Sequence, residues 1–392
     1  MIRFTTKLLP SRSGNLGICV LNNPKPLHAL TLDMSHCLQD VLSEWYADET
    51  IAAVLLKSSG EAKVPAFCSG GDVKSVYMAG IEGTGHGQGN PDLPTAEFFR
   101  HEYNVNHALA TATKPQISLW DGIVMGGGVG VSIHGKYRVA TENTVFAMPE
   151  TGIGLFPDVG SMYWMPKMLS EGVAVYLALT GKRLKAPDLL YTGLATHYVS
   201  SSKLEELEDA LVSACHHFKP TKITANAVAP VLMSFHEFPK DDPRESMLAK
   251  QRDVIDDVFG VLSDSKRGGV EDIVDALQKL DTDFGRETLA TLDKMSPTSL
   301  KLTLEGLRRG SKMENVGEDL QMEYRMSQSC MRPGSDFYEG IRAVLVDKDH
   351  APVWNPASLK DVTDEMIESY FAPLEHEWEI PKVAEPAVTS KL

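Results

Sequence analysis

The sequence predicts an α/β fold with a mostly helical C-terminal region, and two observations carry that expectation. Between about residues 14 and 200, short apolar runs alternate with stretches of helical spacing, the pattern of strands layered against helices. From about residue 220 the strand signals fade and acidic, helix-forming sequence takes over. A core over residues 1–219 and a helical region over 220–392, ending in a flexible tail, are therefore expected. A chain of 392 residues has room for both. Strand order does not follow from pattern alone.

Taken in order, residues 14–22 (GNLGICVLN) read as a strand after a turn. Thr31 is a plausible N-cap for the next stretch, in which Leu38, Leu42 and Trp45 have helical spacing. Ile51 to Lys57 is a short apolar strand, and FCSGGD at 67–72 a glycine turn after a strand-like start at Ala66. Residues 79–94 are rich in Gly and Pro and predict a mobile loop. A helix is expected from Thr95 to about Thr111, a strand over 116–120, and a helix from the glycines at 126–128 to about His134. Strands are expected next at 137–140 and 145–147. Ser296 and Pro297 open a later helix as N-cap and first helical residue; Leu300, Leu304 and Leu307 share a face, and Gly310 ends it.

Composition narrows the function classes. Apolar residues make up 43% and charged residues 23%, the values of an ordinary globular chain. A net charge of −15 and a pI near 5.3 argue against a nucleic-acid or anionic-membrane partner. Lys182, Arg183 and Lys185 could still form a local basic patch for a phosphorylated ligand, or simply a solvated turn. Cys19, Cys37, Cys68, Cys215 and Cys330 are widely spaced without a CxxC, so neither zinc nor a disulfide framework is indicated and free thiols in a reducing compartment are expected. No apolar run reaches the length of a membrane span, and the basic N-terminus lacks the apolar stretch of a signal peptide.

Residues 120–160 carry the chemistry. Gly126, Gly127 and Gly128 precede a short helix, and Glu150 and Asp158 come after it in a loop rich in Gly and Pro. Glycines at a helix start let backbone N–H groups approach an anion such as the oxyanion of an attacked carbonyl. A nearby carboxylate can then move protons or attack. The pattern reads as acyl chemistry without Ser, Cys or metal. Other motifs mislead. Gly130 to Lys136 spells GxxxxGK, but Tyr137 stands where a phosphate-binding loop needs Ser or Thr. Ser132 lacks the second glycine of a nucleophile elbow, so His134 reads as structural. His216 and His217 lack metal-like partners, and no GxGxxG occurs.

FCSGGD (67–72), DGIVMGGGVGVSIHGKYRVAT (121–141) and FAMPETGIGLFPDVG (146–160) resemble the crotonase (enoyl-CoA hydratase/isomerase) superfamily, closest to its 3-hydroxyisobutyryl-CoA hydrolase branch. Three further blocks, at 22–34, 296–307 and 340–357, extend the likeness over most of the chain. The resemblance implies a spiral of β-β-α turns that binds an acyl-CoA, with the backbone N–H groups of Gly71 and Gly127 as the oxyanion hole. It assigns Glu150 as the catalytic glutamate, Asp158 as the hydrolase's second acid and Glu102 as a substrate contact. Ala66, Gly70 and Asp72 would lie where the adenine end of CoA is held, through backbone groups. Read from its own neighbourhood, Glu102 is only a solvated helix residue. Hydratases of the superfamily carry a glutamate two positions after the glycine triplet, where this chain has Gly130.

The likeness implies hydrolysis of a short 3-hydroxyacyl-CoA, with 3-hydroxyisobutyryl-CoA of valine breakdown as the leading substrate. An enoyl-CoA isomerase or hydratase and a non-catalytic binding paralogue are the alternatives. No metal and no cofactor beyond the substrate's own CoA is expected; a homo-oligomer is open. The chain ends in Ser390, Lys391 and Leu392, a tripeptide that peroxisomal import receptors read, so a peroxisomal location is expected, with a mitochondrial one as the alternative.

Overall fold

The burial of alternate residues explains where the strands lie. Ile18, Leu55, Ile117, Leu119 and Val139 enter one buried cluster. Cys19, Val54, Leu56, Trp120 and Ala140 enter another. Neighbours along a strand thus face opposite sides of a sheet, the period of two that a strand imposes.

The computed structural model describes residues 7–84, 89–216, 225–263 and 268–381. The larger sheet contains β1 (Leu8–Ser13), β2 (Leu16–Leu21), β3 (Ala53–Ser58), β5 (Gln116–Trp120), β7 (Tyr137–Ala140) and β9 (His197–Tyr198), adjacent in that order. β1 pairs antiparallel with β2, and the other pairings are parallel. A smaller parallel sheet joins β4 (Ala66–Cys68), β6 (Ile123–Met125) and β8 (Val145–Ala147).

From β3 to β8, each turn of chain gives one strand to each sheet and then forms helix. α1 (Leu32–Ala47) precedes β3; α2 (Val73–Ala79) and α3 (Pro94–Ala110) follow β4; α4 (Gly127–Ile133) follows β6. After β8 come α5 (Ser161–Met168), α6 (Glu171–Thr180) and α7 (Ala186–Thr192). This is the β-β-α spiral that the resemblance implied. α8 (Leu204–His216) and α9 (Ala225–Phe235) cover the outer face of the larger sheet through Leu207, Leu211, Val228 and Leu232.

The rest is helical: α10 (Met247–Phe259), α11 (Val270–Lys279), α12 (Asp283–Leu292), α13 (Pro297–Gly310), α14 (Val316–Cys330), α15 (Asp336–Ile341) and α16 (Asp364–Glu368). Leu300 and Leu307 of α13 and Leu320 and Tyr324 of α14 share a buried cluster with Phe98, Tyr103 and Phe156. The expected caps form: Thr31 Oγ1 accepts from Met34 N at 3.3 Å, and Ser296 Oγ from Ser299 N at 3.0 Å.

Of the elements before residue 134, three were not read from the sequence. In β1 only Leu8 is fully buried, so an edge strand leaves no alternation. β6 has three residues between Gly122 and Gly126, both at positive φ, too short to show a period. α2 begins inside the glycine turn, capped by Asp72, and a π-helical stretch, Gly80–Thr84, continues it into the expected loop. Residues 85–88 of that loop lie outside the described residues. All five cysteines are buried thiols.

Candidate active site

All three strands of the smaller sheet end at one cavity. After β4 the chain turns through Gly70 and Gly71; after β6 it enters α4 at Gly127; after β8 it reaches Pro149 and Glu150. Phe98, Phe99 and Glu102 of α3 close one side, and Leu155 and Asp158 another. The cavity measures about 90 Å³. At roughly 30 Å³ per water, that is space for a short acyl group and not for a nucleotide.

Space as well as turn shape requires the glycines. A Cβ on Gly127 would lie 2.2 Å from Glu102 Oε1 and 3.0 Å from Gly71 N, and one on Gly126 2.8 Å from Glu150 Oε1. The two glycine turns and the two glutamates therefore meet within a few ångströms. Among the described residues, neither the Gly71 nor the Gly127 N–H donates to a backbone carbonyl. Gly127 is the first residue of α4, where the N–H has no partner within the helix. Two such donors beside an apolar cavity suit a polarised carbonyl.

Glu102, Glu150 and Asp158 are all buried. Among the described residues Glu102 Oε1 and Glu150 Oε2 have no hydrogen-bond partner, whereas Asp158 Oδ2 accepts from Tyr103 OH at 2.9 Å. Burial holds the Glu102 carboxyl well above the usual carboxylate range, with the Asp158 charge adding to it. Burial and then Asp158 do the same for Glu150. Burial lifts Asp158 to about 7, against the lowering effect of the Tyr103 hydrogen bond. Three acids around one dry cavity cannot all ionise together, so protons are held there near neutral pH and are available for transfer.

Alternative nucleophiles are disarmed. The buried Cys68 thiol is pushed up to about 12. Ser132 is buried and donates to Gly128 O at 2.7 Å. His134, lowered to about 4 by burial, donates from Nε2 to Val159 O at 2.9 Å, a structural contact.

Of the residues singled out in the sequence, Gly70, Gly71, Glu102, Gly127, Glu150 and Asp158 line the cavity. Ala66 and Asp72 do not. Ala66 is buried within β4, and the Asp72 carboxylate is engaged by Ser75 N at 3.2 Å and Ser75 Oγ at 2.7 Å. Lys182, Arg183 and Lys185 are all exposed beside buried Leu184, which pairs with Phe146 of β8. Sequence reasoning missed Tyr103, although it adjoins Glu102. At Gly130 a Cβ would lie 2.6 Å from Val159 Cβ and 2.8 Å from Asn106 Nδ2, so no side chain fits there. Donor atoms of His36, Glu97 and His101 approach within 4.8 Å of one another where α1 meets α3, and none of the three lines the cavity.

Comparison with known proteins bears on these features. The family profile described as Enoyl-CoA hydratase/isomerase matches residues 16–371. The chain is 45% identical over 368 residues to "3-hydroxyisobutyryl-CoA hydrolase, mitochondrial" of Gallus gallus, covering 94% of this chain and 89% of that protein. Identity to the Homo sapiens protein of that name is 42% over 369 residues, with the same two coverages. Among solved structures, a carnitinyl-CoA dehydratase from Mycobacterium thermoresistibile has a TM-score of 0.81 at 34% identity, covering 96% of this chain and 99% of that one. An enoyl-CoA hydratase from Rhodobacter sphaeroides 2.4.1 has a TM-score of 0.78 at 30% identity, covering 94% and 98%.

These findings correct the expected peroxisomal location. The relatives named above as hydrolases are named as mitochondrial proteins, which favours a mitochondrial location. Ser390, Lys391 and Leu392 lie outside the described residues. A tripeptide is a receptor address that takes no part in packing, and agreement over some 368 residues outweighs it. No helix among the described residues is long and apolar enough to cross a membrane. With the profile running through both sheets and the helical region, and relatives above 40% identity along nearly all of its length, the chain belongs to the enoyl-CoA hydratase/isomerase family.

Proposed function

We propose that the protein hydrolyses 3-hydroxyisobutyryl-CoA to 3-hydroxyisobutyrate and CoA, as in valine breakdown, and accepts related short 3-hydroxyacyl-CoAs. One observation carries the choice within the family. Val159 and Asn106 fill the place where a hydratase glutamate would stand, while Glu150 and Asp158 both reach the cavity. Adding water across a C=C uses two carboxylates that share one water; this site lacks room for the first and has its second acid elsewhere. The small cavity and the names of the relatives agree with the reading.

In this mechanism the thioester C=O accepts from Gly71 N–H and Gly127 N–H. Each donor is worth about 10²–10³-fold in rate as charge grows on the oxygen. Glu150, ionised in this step while Glu102 and Asp158 hold their protons, and with its Oε2 unpartnered among the described residues, either attacks the carbonyl carbon or takes a proton from an attacking water. Both routes consume one water and release the acid. Asp158, held by Tyr103, gives its proton to the departing thiolate. Glu102, in its protonated form, donates to the substrate hydroxyl.

The test is thiol release from 3-hydroxyisobutyryl-CoA beside hydration of crotonyl-CoA. Rapid thiol release from the first with negligible hydration of the second is expected. Hydration of crotonyl-CoA without thiol release from the other would overturn the proposal.

A further inference from the structure

Immediately after Asp158 the backbone is strained. Val159 is β-branched, fully buried and at φ +59°, a conformation that such residues adopt only when their surroundings compel it. Gly160 comes next at φ +86° and caps α5 without a side chain. Ser161 N donates to Asp158 O at 3.1 Å and Tyr163 N to Gly160 O at 3.2 Å, but among the described residues the N–H groups of Gly160 and Met162 find no backbone acceptor, and a Ser or Asp cap, which needs extended backbone at that position, cannot serve them.

They are satisfied from a distance. Glu323 of α14 accepts from Gly160 N at 2.7 Å and from Met162 N at 3.2 Å. Asp319, one turn earlier, accepts from Tyr163 N at 2.9 Å. Both acids are fully buried and belong to neither the cavity lining nor the mechanism above. His134 holds the other side of the turn through Val159 O. Val159 in turn fills the space above Gly130.

We propose that Glu323, assisted by Asp319, is a positioning residue for the hydrolysis described above, on which this inference rests: it locks the Val159–Gly160 turn so that Asp158 meets Tyr103 and the acyl cavity. Two acids in a dry interior destabilise the fold unless they satisfy other buried groups. Here Glu323 satisfies the N–H groups of Gly160 and Met162, Asp319 gives Tyr163 N an acceptor beside Gly160 O, and the turn they fix is the one that carries a reacting acid.

The experiment is a double-mutant cycle on thiol release, with a crystal structure of the Glu323→Gln variant. Glutamine keeps the shape, but its amide N–H₂ faces one of the two backbone N–H groups, so one bond is lost. Glu323→Gln is expected to lower kcat about 10²-fold, the cost of misplacing a reacting group by about 1 Å, with KM changed less than about threefold. In an Asp158→Asn background the same change is expected to cost little, because Glu323 acts through Asp158. Glu323→Asp, which keeps both carboxyl oxygens as acceptors, is expected to restore part of kcat. Should the glutamine variant fail to fold, Glu323→Asp carries the cycle alone, with a smaller loss expected that likewise vanishes beside Asp158→Asn.

Equal losses with and without Asp158 would overturn the proposal. In the variant structure the 2.9 Å Tyr103–Asp158 bond is expected to break or Val159 to leave positive φ. A structure that retains both would overturn the proposal whatever the substrate proves to be. A wild-type enzyme that releases no thiol would instead count against the proposed reaction.

Discussion

Glu102 has Arg100, His101 and Asn104 as helix neighbours, and by sequence alone it looks like one more solvated side chain. In the structure it is buried, with Oε1 against Gly127 and its proton retained by burial. Glu150 and Asp158 were easier to read, because carboxylates in a Gly- and Pro-rich loop beside a glycine triplet have few structural uses. The Asp158 side chain meets Tyr103 and caps no helix, since Gly160 is the cap of α5. Tyr103 was not legible, since neighbouring helix positions face different ways and nothing in the sequence shows that both turn inward. Replacing Glu150 by Gln is expected to lower kcat by about 10²–10⁴-fold, the range for losing a positioned proton-transfer group, without unfolding the protein. Steady-state thiol release beside circular dichroism checks this. Asp158 carries its proton below about pH 7 and loses it above, so kcat/KM is expected to fall on the alkaline side near that pH. In Asp158→Asn that limb is expected to vanish, which a pH profile of thiol release would show.

At the scale of elements, the site is a property of the smaller sheet. β4, β6 and β8 are parallel, so their C-terminal ends lie together and their turns converge. Two of these strands and the helices α1, α3 and α4 were visible as apolar runs, helical spacing or glycine starts. β6 was not, because three residues carry no periodicity. That the two glycine turns meet followed from the family likeness alone; spacing along the chain does not show it. Gly127→Ala tests the junction of β6 and α4. Its Cβ would drive Glu102 away and crowd Gly71 N, so a kcat/KM loss of about 10²-fold or more is expected. A near-normal rate for this variant would exclude close approach of substrate to the start of α4.

Across the whole molecule, Glu102, Glu150, Asp158, Asp319 and Glu323 are all held above their ordinary values by burial. The folded state therefore keeps protons that the unfolded chain releases near its ordinary carboxyl range, about pH 4. The stability linked to these groups is complete below that pH and is lost as pH rises through their folded values. For Asp319, raised from 3.8 to about 7, the effect amounts to at most about 4 kcal/mol. Asp319→Asn is expected to raise Tm at pH 8 by a few °C, with the gain fading toward pH 4; thermal unfolding at both pH values checks it. That strands give way to helices along the chain was readable from composition; in the structure β9, ending at Tyr198, is the last strand. The reach of α14 back to the loop after Asp158 was not, because contacts between residues some 160 apart leave no local pattern.

The central claim is that the Gly71 and Gly127 amides hold the thioester oxygen while buried acids complete the cleavage. The most direct measurement is a crystal structure of the Glu150→Gln variant with 3-hydroxyisobutyryl-CoA bound. The account expects the thioester oxygen within about 2.7–3.1 Å of both amide nitrogens, with the acyl group in the cavity beside Asp158. A thioester bound away from those two amides would contradict it.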